Sequence, residues 1–88
     1  MKYKVTYKRK AMKSLSKLDT GQQVIIWAWI EKNLVGTNDP RTHGKALKGD
    51  FKEYWRYRVG EYRILAEIDD NQIIIIIVNV GHRKDIYT

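Results

Sequence analysis

The stretch "WRYRVGEYRILAEI", residues 55–66, constrains this chain more than any other. Two runs alternate between apolar and polar residues on either side of Gly60-Glu61, which is the pattern of a β-hairpin with a two-residue turn and glycine at its first central position. Such a turn sets the register: Val59 faces Tyr62, Arg58 faces Arg63, Tyr57 faces Ile64 and Arg56 faces Leu65. One face then collects Trp55, Tyr57, Val59, Tyr62, Ile64 and Ala66, enough to cover two helices, and the other collects Arg56, Arg58 and Arg63. Like charges directly opposite one another weaken a ladder, so the facing arginines call for a reason.

The flanking segments supply the rest of a small α+β domain. "DDNQ" makes a turn, and "IIIIIVNV" follows as a central strand with β-branched residues on both faces. Running antiparallel to the strand before it, this strand returns to the Gly60-Glu61 end, where its exit "GHRKDIYT" brings His82 and Arg83 beside Arg58 and Arg63, with Tyr87 in reach. At the other end of the chain, Tyr3, Val5 and Tyr7 alternate with polar residues as in a half-buried strand, and Ala11, Leu15 and Leu18 follow at helical spacing. A second helix is predicted from "LDTGQQVIIWAWIEKNL", with Thr20 and Gln23 at capping-box spacing ahead of Trp27, Ile30 and Leu34. Trp27 and Trp29 could stack on bases, but helical aromatics at this spacing belong more often to the core, and that is the expectation for both. Residues 36–50 read as irregular chain carrying Arg41, His43, Lys45 and Lys48, either a solvated basic loop or a flap that contacts phosphate beside a site.

Composition narrows the class. A chain of 88 residues is expected to form one domain over residues 1–88, and its 17 lysines and arginines against 10 acidic residues leave a net charge of +7. That balance favours a polyanionic partner, nucleic acid or an acidic protein. With no cysteine there is neither a disulfide framework nor a thiolate metal site, and the chain fits a reducing cytosol. The start lacks the apolar core of a signal peptide, and the longest apolar run falls far short of the roughly 20 residues a membrane-spanning helix needs. A cytoplasmic protein with no membrane partner is expected.

Three arginines from three strand segments repel one another and cannot relieve the repulsion by losing a proton. A bound anion would relieve it, and a guanidinium fork suits phosphate oxygens while aromatic and guanidinium planes stack on unpaired bases. An ordinary solvated edge strand would show the same residues.

The ordered set "DPRTHGKALKG", "WRYRVGEYRILAEI" and "VGHRKDIY" resembles the RelE/ParE superfamily of toxins from bacterial toxin–antitoxin pairs, on its RelE side. The likeness covers nearly the whole chain. It implies the RelE-like microbial ribonuclease fold, a small antiparallel sheet with two N-terminal helices packed on one face. It implies a metal-free and cofactor-free endoribonuclease that cuts messenger RNA in the A site of the small ribosomal subunit, the RNA's own 2′-hydroxyl attacking the adjacent phosphate. Carried over by position, Arg58, Arg63, His82, Arg83 and Tyr87 would form the catalytic set, and Arg56, Lys45 and Lys48 would bind substrate. Arg56 and Arg58 stand where some members have lysines; since arginine effectively cannot act as a base, His82 is the expected proton acceptor, with Glu53 or Glu61 as the other choices. A RelB-like antitoxin is the implied protein partner. Two other readings stay open: a ParE-like toxin that binds a topoisomerase, and an RNA-binding module without catalysis.

Overall fold

A computed structural model of the chain describes residues 1–86. Strand β1 (Lys4–Tyr7) leads into helices α1 (Arg9–Ser16) and α2 (Thr20–Asn33); strands β2 (Lys45–Ala46), β3 (Trp55–Val59), β4 (Tyr62–Asp69) and β5 (Ile74–His82) follow, with a 3-10 turn at Gly49–Phe51. The strands form one sheet in the order β1-β5-β4-β3-β2. The class is α+β, as expected. The sheet is mixed, however, because β1 lies parallel to β5, with Lys4 opposite Ile74 and Tyr7 opposite Ile77. Parallel neighbours need a crossover connection, and both helices lie within the chain that joins these two strands.

The two helices cover one face of the sheet. Ala11, Leu15, Ile26, Ile30 and Leu34 pack there on Tyr57, Ile64, Ala66, Ile75, Ile77 and Val80. Asp19 caps α2, its carboxylate accepting from the Gln22 amide at 2.9 Å. The cap is therefore one residue earlier than the Thr20 expected from the sequence, and Gln23 instead donates its side-chain amide to the Leu18 carbonyl at 2.7 Å. The helix is apolar on most sides, so Val24 and Ile25 stay 61% and 55% exposed on its outer surface. Trp27 packs on Tyr7 with ring centroids 4.8 Å apart, while Trp29 packs on Tyr57 at 5.6 Å, so the two indoles reach β1 and β3 on opposite sides of α2. Tyr57 is fully buried, and its hydroxyl donates to the Pro40 carbonyl at 2.6 Å. Burial also drives its phenol pKa far above the ordinary value. Among the described residues no helix is long and apolar enough to cross a membrane.

The hairpin has the register that the turn requires, from Trp55 opposite Ala66 to Val59 opposite Tyr62, and Gly60 carries the positive φ of 59°. The β4–β5 ladder departs from simple alternation. Leu65 faces Asn79 while Ala66 faces Ile77, which leaves Val78 as the extra residue of a bulge. Ile75 and Ile77 point into the core before it, and Val80 does so after it. Strict alternation would have sent Val80 outward. Helix α1 reaches the bulge, with Ser14 Oγ donating to Asn79 Oδ1 at 2.7 Å.

Candidate functional site

On the face that the helices leave uncovered, Arg58, Arg63 and Gly81 lie side by side across β3, β4 and β5. In a two-residue hairpin the pair next to the turn exchanges hydrogen bonds and the following pair does not, so Arg58 and Arg63 take the closer spacing, about 4.5 Å between Cα atoms. Gly81 has a packing reason. A Cβ there would stand 3.3 Å from Ile86 Cδ1, because the chain after β5 turns back and buries Ile86 over this position.

Arg83 comes to the same end of the sheet. Its amide donates to the Glu61 carbonyl at 2.9 Å, and its Nε lies 3.1 Å from Glu61 Oε2. The turn between β3 and β4 thus holds Arg83 beside the hairpin. Its guanidinium stays about half exposed.

His82 shares Glu61 with Arg83 but lies on the other face from Arg58 and Arg63. It pairs with Tyr62, whose side chain packs against the core, and the two rings meet edge to face with centroids 5.7 Å apart. The bulge at Val78 is the cause: it moves Gly81 onto the arginine face and turns His82 to the opposite one. The imidazole sits 4.0 Å from Glu61 Oε2, and its Nδ1 accepts the Lys84 amide at 3.3 Å. Expected beside Arg58 and Arg63, His82 is therefore at the right end of the sheet on the wrong side. Tyr87, the remaining expected catalytic residue, lies outside the described residues.

The chain before β2 is a built element. Trp55 Nε1 donates to the His43 carbonyl at 2.7 Å, and Tyr57 holds Pro40. Gly44, at φ 83°, presses so closely on β3 that a Cβ would come 2.3 Å from the Arg56 carbonyl oxygen. Lys45 then pairs with Arg56, and the two share a cleft of about 320 Å³ with Trp29, His43, Gly44 and Arg58. Lys48 does not line it: β2 runs antiparallel to β3, which carries the chain after Lys45 away from the hairpin turn. Arg41 is held elsewhere, in a two-pronged bridge to Asp70 with both contacts at 3.1 Å. That guanidinium, with the Tyr3 hydroxyl 2.7 Å from Asp70 Oδ1, keeps the Asp70 pKa below the usual carboxylate value.

Charge is divided along the molecule. A larger depression of about 580 Å³ is lined by Glu53, Glu67, Asp69 and Asp70. Two of these carboxylates are paired, Glu67 with Lys8 at 3.4 Å and Asp70 with Arg41 at 3.1 Å, and Glu53 lines this depression and not the cleft that holds Arg56 and Arg58. The smaller cleft is the one with chemistry that suits an anion. Trp29 was expected in the core, with base stacking as the lesser reading, and His43 on a solvated loop or a phosphate-contacting flap; the further signal for this cleft was Gly44, where close backbone contact requires glycine.

Comparison with known proteins agrees with this architecture. Residues 5–87 match the family described as the ParE toxin of the type II toxin–antitoxin system parDE. Toxin RelG of Mycobacterium tuberculosis is 37% identical over 51 residues, 58% of this chain and 59% of that protein, so the match spans less than two thirds of the curated relative. A chain of the RelBE2 toxin–antitoxin complex from Mycobacterium tuberculosis superposes with a TM-score of 0.85 at 28% identity, covering 94% of this chain and 100% of that one. The isolated RelE toxin of E. coli shares the fold, with a TM-score of 0.72 at 18% identity over 91% of this chain and 83% of its own. The chain belongs to the ParE toxin family, within the RelE/ParE superfamily of type II toxin–antitoxin toxins.

Proposed function

We propose that this toxin is a ribosome-dependent endoribonuclease that cuts messenger RNA in the A site, with Arg58, Arg63 and Arg83 as its charge-stabilising groups. The observation that supports this most is the Arg58–Arg63 pair, two guanidinium groups set opposite one another on the side of the sheet that the helices leave uncovered. In the reaction the 2′-oxygen bonds to phosphorus, the 5′-oxygen of the next nucleotide leaves, and a cyclic phosphate remains. The 2′-hydroxyl proton passes to Glu61 or to a group of the ribosome, and the leaving oxygen takes a proton from solvent water. Arg58 and Arg63 would hold the non-bridging oxygens, whose negative charge grows in the transition state. Arg83, fixed by Glu61, would stand at the leaving oxygen. His82, packed on Tyr62 and 4.0 Å from the Glu61 oxygen that also holds Arg83, lies on the opposite face from Arg58 and Arg63, and this reading gives it no direct part in the proton transfer. Arg56 and Lys45 extend the positive surface along the RNA, and Tyr87 keeps its place in the reading as the orienting aromatic.

An antitoxin is part of the same reading, as in the toxin–antitoxin complexes that share this fold. Val24 and Ile25 on α2 and Val35 just beyond it are exposed apolar side chains that an antitoxin could cover. Mapping message ends after incubation with programmed ribosomes tests the reading: cuts within the A-site codon support it, and intact message refutes it. A second reading, a ParE-like toxin that acts on a topoisomerase, is favoured by the family that matches the chain. Loss of gyrase supercoiling together with intact message would select it.

A further inference from the structure

We infer that the cleft between α2 and the outer edge of β3 is a nucleobase pocket for a nucleotide flanking the cut phosphate, with Trp29 and His43 as its aromatic walls. The inference rests on the RNA-cleavage reading. Strand β2 pairs with β3 at Trp55 and Arg56, and beyond that point no strand among the described residues pairs with this edge of β3 beside Arg58. There the cleft of about 320 Å³ is lined by the cations Lys45, Arg56 and Arg58 together with Trp29 and His43. It falls at the small end of the range of ligand pockets, about 300–1,000 Å³. A nucleotide presents a charged phosphate and a flat base at fixed separation, and single-strand binders meet these with cations and aromatic planes.

Both walls are set in place before any ligand arrives. Trp29 rests on buried Tyr57, and the imidazole of His43 meets the indole at a 70° tilt with centroids 5.7 Å apart. The His43 backbone is tied to Trp55 and cannot swing away easily. Gly44 lets that backbone reach the strand at all. Trp27, packed on Tyr7 at the β1 side, has no such surroundings.

The test compares single-turnover cleavage of ribosome-bound messages that carry either an intact codon or an abasic ribonucleotide beside the cut. His43→Ala is expected to slow cleavage of the intact message by about 5- to 150-fold, the range that one base–aromatic stack supplies. On the abasic message the wild type should slow by a similar factor, and His43→Ala should add nothing further. His43→Phe, which keeps a ring and removes the proton acceptor, should restore most of the rate. Cleavage by His43→Ala at the wild-type rate overturns the inference, as does an equal loss on both messages or a His43→Phe as slow as the alanine. A wild-type protein that leaves every message intact defeats the cleavage reading itself, and the pocket with it.

Discussion

The Arg58–Arg63 pair can be read in both directions, from the fold and from the site. Two like charges opposed at the closer ladder spacing are expected to cost a hairpin roughly 0.2 to 1 kcal/mol. Arg58→Ala should therefore melt at or slightly above the wild-type temperature while cleavage falls about 100- to 1,000-fold, the usual loss of one pre-organised charge partner. A clear drop in melting temperature would make Arg58 a structural residue. His82→Gln should cleave at close to the wild-type rate, where removal of a general base would cost about 100- to 10,000-fold; rapid-quench kinetics of the two variants separate these outcomes. Asp70 gives a pH dependence. Its pKa is held low in the fold by Arg41 and then Tyr3, so its contribution is complete above the unfolded value of about 3.9 and is lost as pH falls through the lower folded value. Melts of Asp70→Asn should show a shallower loss of stability below pH 4 than the wild type, with a small difference at pH 7 because the bridge is exposed.

At the level of elements, the hairpin was legible because a two-residue turn and strict alternation leave one register. The interior strand was legible as a strand, yet its facing was not. In a run of isoleucines and valines both faces look alike, so no residue pattern marks Val78 as the bulge, and every side chain after it changes sides. That single inserted residue is why His82 was expected among the arginines. The α2 cap and the β1 pairing were missed for related reasons: Asp19 and Thr20 are both good caps, and alternation does not reveal which strand lies alongside. The segment before β2 looked like loop because its order comes from contacts with Trp55 and Tyr57, far away in sequence. Gly44→Ala tests that order. With a positive φ and a backbone oxygen where the methyl group would go, it should destabilise by more than about 1 kcal/mol, visible as a lower urea midpoint at unchanged slope.

Across the whole molecule, a net charge of +7 is distributed unevenly, with acidic residues gathered around one depression and cations around the other. Single-stranded RNA should therefore bind with a strong salt dependence, and Arg58→Ala should reduce the log–log slope by about 0.7, the share of one phosphate contact. A slope unchanged in Arg58→Ala would place the RNA elsewhere. The pairing of β1 with β5 has a consequence in time. Lys4 waits for Ile74, and the buried Ile75, Ile77 and Val80 that complete the core arrive with the same late strand. During synthesis the early strand and both helices emerge with no sheet to close on. A protein proposed to attack translating ribosomes thus cannot close its own core until β5 has emerged from the ribosome that makes it.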